Sequence, residues 1–278
     1  MLSLVGLAVL RRQLVRRFGV PALRRGATAP SDPDVELVAL PGPDGSTLRG
    51  LVLRASGASG TALVIHGWDG SAADLLPVGR LLQDEGLDVL LLDARRHGGS
   101  DDIAVTSMPH IAQDLAAAVR WCRRADLRAD RLLLVGHSVG AGACLLVARG
   151  VPGVDGVVLI ASMAHPREVM RRLLVSAGAP RVATPLALRV VEHLIGHRFD
   201  AFAPVHVLPL LDIPVLIVQG ERDATIPVTD AQALAAVARD VELVIVPGAG
   251  HSALSAVPAV RTAVRDLLAR ASSAAAEV

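Results

Sequence analysis

Three residues of this 278-residue chain have the types that nucleophilic catalysis requires: a serine, followed later in the chain by an aspartate and a histidine. Ser138 lies in the pentapeptide Gly-His-Ser-Val-Gly, between the apolar run Leu132–Val135 and a helix-like segment of small residues. A strand, a tight glycine turn and a helix would hold its hydroxyl clear of the backbone, with the Val139 amide aimed at a developing oxyanion. Ser138 is therefore the predicted nucleophile, His251 its base and Asp223 the acid that orients the base.

Each of these residues has a plainer interpretation when it is taken alone. The glycine- and serine-containing pentapeptide could be an ordinary helix N-terminus. The histidine could lie in a surface loop, and the aspartate could cap a turn. The order of the three residues, each placed after an apolar run, favours the catalytic interpretation.

A second oxyanion donor is predicted in the loop His66–Gly70, which follows the apolar run Ala62–Ile65. Gly67 lets the backbone turn inward, so the amide of Trp68 is the candidate donor. The Trp68 side chain and His137 are the candidates for contact with substrate. The alternative for Trp68 is a core tryptophan beside an ordinary glycine turn.

The elements that must position these loops alternate along the chain. A hairpin with an Asp-Gly turn is predicted over residues 35–53. Six short aliphatic runs then look like strands buried on both faces: Ala62–Ile65, Val89–Leu92, Leu132–Val135, Val157–Ile160, Val215–Val218 and Leu243–Val246. Segments of helical length separate most of them, which predicts an α/β protein with a mostly parallel sheet and helices on both faces.

The interval 162–212 interrupts this alternation and contains two plausible helices, Arg167–Ser176 and Pro185–Ile195. An insertion of this length beyond the carboxyl ends of the strands is where a helical cap is expected. The predicted divisions are a basic amphipathic N-terminal segment at 1–30, a core at 31–161 and 213–272, the cap at 162–212, and a disordered tail at 273–278.

Composition and motifs argue against nucleic-acid binding, a cofactor and a metal site. The 28 basic residues, all arginine, are balanced by 27 acidic residues, and the aromatic content is 2%, so a dedicated nucleic-acid binder is not expected. Neither a phosphate-binding glycine loop nor a dinucleotide fingerprint follows a strand, so no cofactor is expected. His193 and His197 have no third ligand placed near them, so no metal site is expected.

The charge is divided unevenly. Residues 1–25 carry six arginines and no acidic residue. Leu7, Leu10, Leu14 and Phe18 recur at helical spacing, which suggests an interfacial helix making peripheral contact with a membrane. The alternative is a helix docked on the body of the protein. Two cysteines in helix-like stretches favour a reducing, cytoplasmic location. The basic N-terminal segment adds association with a membrane as a further hypothesis.

Five motifs together resemble the α/β-hydrolase fold family of serine hydrolases. They are His66–Gly70, Asp93–Ser100, Gly136–Gly140, Gly220–Asp223 and Gly248–His251. The resemblance extends from about Val35 to Leu268. It implies an eight-stranded sheet, a Ser138–Asp223–His251 triad, an oxyanion hole formed by the Val139 and Trp68 amides, and a cap between the sixth and seventh strands.

The leading hypothesis is a cofactor-free serine hydrolase that cleaves a carboxylic ester through an acyl-enzyme. A thioester would use the same machinery, and the basic N-terminal segment adds a lipid ester as a candidate substrate. The alternative from another class is a non-catalytic relative that binds an apolar small molecule. Arg96 departs from the family pattern, which often has glycine there. A left-handed backbone would strain an arginine, so a differently shaped loop is expected after Asp93.

Overall fold

The computed structural model describes residue 12 and residues 32–125, 127, 131–252 and 258–276. The predicted N-terminal helix and its membrane contact therefore lie outside the described residues. Within the described part, one eight-stranded sheet has the order β1-β2-β4-β3-β5-β6-β7-β8. The strands are β1 (Val35–Pro41), β2 (Thr47–Leu53), β3 (Thr61–Ile65), β4 (Asp88–Asp93), β5 (Leu132–His137), β6 (Gly156–Ile160), β7 (Val215–Gly220) and β8 (Val241–Val246).

The sheet is antiparallel at one edge and parallel elsewhere. Strands β1 and β2 form the predicted hairpin, and β2 pairs antiparallel with β4. The hairpin turn uses the left-handed conformations of Asp44 (φ 55°) and Gly45 (φ 75°). Every pairing from β4 through β3 to β8 is parallel, so the carboxyl ends of β3, β5, β7 and β8 lie at one edge of the sheet.

Helices cover both faces of the sheet. They are α1 (Leu76–Asp84), α2 (Met108–Cys122), α3 (Val139–Gly150), α4 (Pro166–Ser176), α5 (Thr184–Ile195), α6 (Pro204–Val207), α7 (Val228–Ala235) and α8 (Pro258–Ala276). Alternate residues of β3 pack into different layers: Leu63 and Ile65 against the side of α2 and α3, Ala62 and Val64 against the side of α1 and α8. This confirms the predicted α/β architecture, whose aliphatic strands are buried on both faces.

Two expectations do not hold. Strand β8 is an edge strand, and Val246 is its only buried residue, because β8 has a neighbour on one side only. Helix α8 continues to Ala276, so residues 273–276 are helical although an Ala/Ser tail was expected to be disordered from residue 273. Alanine has the highest helix propensity, which favours this continuation.

The cap residues lie between β6 and β7 and contain α4, α5, α6 and short 3₁₀ turns. Leu174 of α4 and four residues of α5 are buried in the same apolar layer as α3; those of α5 are Ala187, Leu188, Val191 and Ile195. Phe199 and Phe202 join this layer, with their ring centroids 5.8 Å apart. The cap is thus packed over the sheet edge where Ser138 lies.

Candidate active site

Ser138 lies on a strained turn between β5 and α3. Its backbone has φ 55° and ψ −118°, outside the regions that non-glycine residues favour. Its amide donates a hydrogen bond to the Ile160 carbonyl at 2.8 Å, which ties the turn to β6. Val139 is the first residue of α3, so no carbonyl within the helix can accept its amide hydrogen.

The two glycines of this turn have no room for a side chain. A Cβ on Gly136 would lie 2.5 Å from the backbone nitrogen of Ala141. A Cβ on Gly140 would lie 2.5 Å from the carbonyl oxygen of His66. Because backbone atoms cannot move aside cheaply, the strand, the turn and the helix approach this closely only with glycine at both positions.

Asp223 and His251 form a hydrogen-bonded pair. The Asp223 side chain is completely buried, and its Oδ2 lies 2.7 Å from Nδ1 of His251. The backbone amides of Thr225 and Ile226 each donate to Asp223 Oδ1 at 2.8 Å. Burial raises the pKa of Asp223, but hydrogen bonds from His251 and these amides outweigh it and hold the pKa below its ordinary value. The carboxylate therefore stays ionised and accepts a hydrogen bond from the Nδ1–H group of His251. Nε2 of the imidazole is then left unprotonated and able to act as a base.

His137 holds the His251 loop against the serine turn. Its Nε2 lies 2.9 Å from the His251 carbonyl oxygen, and the two ring centroids are 4.8 Å apart. Burial lowers the pKa of His137, which favours the neutral ring. A neutral ring donates from Nε2 to that carbonyl. His137 also lines the cavity at Ser138. Its contact with substrate stays a prediction.

The loop after β3 packs directly on this turn, and His66 orients its backbone. The His66 Nε2 accepts the Ala94 amide hydrogen at 3.1 Å, so the ring proton is on Nδ1. Nδ1 donates to the Gly67 carbonyl oxygen at 2.7 Å. The Gly67 carbonyl and the Trp68 amide belong to one peptide plane and point in opposite directions. Fixing the carbonyl therefore also fixes the direction of the Trp68 amide.

Burial lowers the pKa of His66 to about 4, so this donor stays neutral at physiological pH. A Cβ on Gly67 would lie 3.0 Å from the Cβ of Ser138 and 2.9 Å from Nδ1 of His137. The loop that carries the Trp68 amide is thus in direct contact with the turn that carries the serine.

Two cavities meet at Ser138. One, of about 470 Å³, lies under the cap, and its lining is mostly apolar, with Val169, Met170, Leu173, Val191, Ile195, Phe199 and Phe202 among its residues. The other, of about 560 Å³, is more polar and is lined by His66, Asp69, Asp74, His137, His251 and Ser252 among others. Trp68, Ser138 and Thr225 line both. A bound ester could therefore place its two halves on opposite sides of the serine.

The Asp93–Ser100 motif connects loops beneath the site. Asp93 accepts hydrogen bonds from the amides of Ala72 (2.6 Å) and Gly99 (3.0 Å). Arg96 has φ 68°, so its backbone is left-handed and an arginine occupies a conformation that favours glycine. The loop after Asp93 was expected to take a different shape to avoid this strain, but Arg96 keeps the left-handed backbone.

In the described part of the chain, no group of three or more His, Cys, Asp or Glu side chains is arranged to hold a metal ion. No described helix is long and apolar enough to cross a membrane.

The chain is similar to known families, to individual proteins and to solved structures. The family model described as serine aminopeptidase, S33, matches residues 57–197, and the model described as TAP-like protein matches residues 199–277. The uncharacterized protein Rv2307c of Mycobacterium tuberculosis is 31% identical over 214 residues, which cover 75% of this chain and 69% of that protein. The uncharacterized protein YfhR of Salmonella typhi is 25% identical over 232 residues, covering 80% and 76%.

Among solved structures, the esterase Pf2001 of Pyrococcus furiosus superposes with a TM-score of 0.71 at 22% identity, covering 91% of this chain and 97% of that chain. At this identity the likeness shows the fold. The family match, the sheet order and the strained serine turn all indicate the same fold. The chain belongs to the α/β-hydrolase fold family.

Proposed function

We propose that the protein is a serine hydrolase that cleaves carboxylic esters through an acyl-enzyme on Ser138. One observation carries this proposal: the buried Asp223–His251 hydrogen bond of 2.7 Å, whose histidine shares a cavity with the strained serine. A binding protein has no need of a base held in one tautomer beside a hydroxyl. The family membership of the chain supports the same chemistry.

In the proposed reaction, Nε2 of His251 removes the proton from the Ser138 hydroxyl as the oxygen attacks the ester carbonyl. The amides of Val139 and Trp68 stabilise the oxyanion that forms, and each such donor contributes roughly 3 kcal/mol in comparable enzymes. His251 returns the proton to the leaving alcohol. A water molecule, activated by the same histidine, then hydrolyses the acyl-enzyme and restores the serine.

The two cavities suggest how an ester would lie. The apolar cavity under the cap suits an acyl chain, because aliphatic and aromatic side chains of the cap form most of its lining. The more polar cavity suits the alcohol portion and gives it access to His251. Thioesters would use the same groups. Esters are favoured over amides because an ester leaving group needs less assistance from protonation.

The test is turnover of p-nitrophenyl butyrate by purified full-length protein, by Ser138→Ala and by Ser59→Ala. Ser59 is exposed and outside both cavities, so it is a matched control. Ser138→Ala is expected to lower kcat by at least 10³-fold, and Ser59→Ala to leave it unchanged. Equal turnover by all three proteins would remove Ser138 from the mechanism.

A second candidate function is non-catalytic binding of an apolar small molecule. The cavity of about 470 Å³ under the cap supports it, because pockets for small ligands have this size and character. Tight binding of a fluorescent fatty acid by a folded protein that hydrolyses no ester would favour this function.

Two further expectations remain proposals. Residues 1–25, with their six arginines, are proposed to contact a membrane surface, which comparison of vesicle flotation by the full chain and by a form beginning at Thr28 would test. A reducing, cytoplasmic location is proposed because Cys122 and Cys144 are both free and buried. Burial raises the pKa of the Cys122 thiol to about 12, so it is an unreactive core residue.

A further inference from the structure

The outer face of the cap carries a basic groove of about 400 Å³. Five arginines and one acidic residue, Glu192, contribute to its lining; the arginines are Arg167, Arg171, Arg181, Arg189 and Arg198. Arg167 pairs with Glu192 at 3.2 Å, and Arg171 pairs with Glu168 at 2.8 Å. These pairs neutralise two of the five positive charges.

The other three arginines of the groove are exposed and uncompensated. Within the described residues, Arg181, Arg189 and Arg198 have no carboxylate within ion-pair distance. They converge on one groove, so they repel one another in the free protein. An anionic partner would remove this repulsion.

Apolar side chains are exposed beside these arginines. Five large apolar residues are exposed in the described part of the chain, and four of them lie in the cap. Val182 is 91% exposed and follows Arg181 directly, and Leu186 is 45% exposed. A 3₁₀ turn over Arg181–Ala183 leads without a break into α5, so Val182 and Leu186 are four residues apart on one helical face, with Arg189 three residues further on.

We propose that this cap-tip surface, formed by Arg181, Val182, Leu186, Arg189 and Arg198, binds the headgroup region of an anionic lipid bilayer. Arginines would meet the lipid phosphates while the valine and leucine enter the apolar boundary below them. A soluble phosphate would engage the arginines but would not cover an almost fully exposed valine.

The chain's own N-terminal segment is a poor occupant of this surface. Residues 1–31 contain six arginines and no acidic residue, so the groove would repel them. The same helix α5 contributes Val191 and Ile195 to the apolar cavity, so the proposed membrane face and the cavity are two sides of one helix. Binding at this face does not require catalysis by Ser138.

The test is co-sedimentation of full-length protein with vesicles of phosphatidylcholine and phosphatidylglycerol at 7:3, and with pure phosphatidylcholine. All proteins carry Ser138→Ala, so the result is independent of the proposed hydrolysis. The basic variant combines Arg181→Gln, Arg189→Gln and Arg198→Gln. Its matched control combines Arg120→Gln, Arg124→Gln and Arg149→Gln, which removes three exposed arginines outside the cap.

Each arginine near an anionic surface raises partitioning roughly fivefold, so the basic variant is expected to bind on the order of a hundredfold more weakly. The control is expected to stay within about threefold of the parent, and pure phosphatidylcholine to bind weakly. Combining Val182→Ser with Leu186→Ser is expected to weaken binding at least tenfold. Circular dichroism, together with unchanged hydrolysis of a soluble acetate ester in a Ser138 background, would show that the variants are folded.

Parent-like binding by the basic variant would overturn the proposal, as would an equal loss in its control. Parent-like binding by the serine double variant would show an anion site without bilayer insertion and would also overturn it. Sedimentation equilibrium without vesicles tests a second copy as the occupant: a dimer that the serine double variant dissociates would contradict the membrane assignment.

Discussion

Replacing Val191 by phenylalanine is expected to shorten the acyl chains that the protein hydrolyses. Val191 is 6% exposed and lines the apolar cavity of about 470 Å³ under the cap. The larger side chain would occupy space equivalent to roughly two methylene groups, each worth about 0.8 kcal/mol when buried. The binding energy lost by a long chain is therefore about 1.6 kcal/mol, or roughly fifteenfold in kcat/KM.

The assay is a series of p-nitrophenyl esters from acetate to decanoate, used below their micellar concentrations. For the parent, kcat/KM is expected to rise up to about fourfold for each added methylene until the cavity is filled. Val191→Phe is expected to leave acetate within about threefold and to lower octanoate by about fifteenfold. Val182→Phe, the same substitution on an exposed cap residue, is the control. Equal losses for acetate and octanoate, or no loss for either, would refute the assignment of this cavity to the acyl chain.

Three further predictions test the groups around the serine. Asp223→Asn keeps an oxygen for the two backbone amides but presents an NH₂ group to Nδ1 of His251. The imidazole then loses its orienting acceptor, so kcat is expected to fall about 10³–10⁴-fold. A fall of less than about tenfold would count against His251 as the base. His66→Ala removes the side-chain donor to the Gly67 carbonyl and leaves only the weaker bond from the Gly70 amide at 3.2 Å, so kcat is expected to fall about 10²-fold with little change in KM. His66→Asn, whose amide can replace Nδ1, is expected to restore most of this loss. Equal kcat values for the two variants would contradict the positioning role. The pKa of His66 is about 4 in the folded protein and about 6.5 in the unfolded chain. The contribution of neutral His66 to the free energy of unfolding is therefore fully present above pH 6.5, and about 3 kcal/mol of it is lost as the pH falls to about 4. Urea titrations at pH 7 and pH 4.5 should show a smaller loss of unfolding free energy for His66→Asn than for the parent.

The sequence predicted the sheet because its strands are short aliphatic runs buried on both faces. Strand β8 is the exception, because most of its residues are only partly buried. Along β8, Val241–Val246, apolar and polar side chains alternate little more than they do along β7. Only the strand order reveals that β8 is at an edge of the sheet. Edge position depends on partners far away in the chain, which a local apolar pattern does not encode.

The serine turn was predictable because its glycines are required locally, as the 2.5 Å approaches at Gly136 and Gly140 show. The roles of His66 and His137 as positioning residues were not predictable from pattern. His66 bonds to an amide 28 residues away, and His137 bonds to a carbonyl 114 residues away. No spacing rule links such segments. They meet because the parallel strands all end at the same edge of the sheet.

The residues that orient Asp223 were also missed. The amides of Thr225 and Ile226 follow the aspartate by two and three residues and form a tight turn around its carboxylate. An Asx-type turn can be suspected after any aspartate, so the signal was present but weak.

The cap was expected from its length, but its exposed arginines and valine become a surface only when α4 and α5 are packed side by side.

The central claim is that Ser138 is the nucleophile, and the most direct measurement is intact-mass and peptide-mass analysis after reaction with a fluorophosphonate. One adduct per chain is expected, located on Ser138, and none is expected in Ser138→Ala. His251→Ala is expected to slow adduct formation at least a hundredfold while the protein remains folded. An adduct that persists in Ser138→Ala, or folded parent protein that forms none, would show that Ser138 is not the nucleophile.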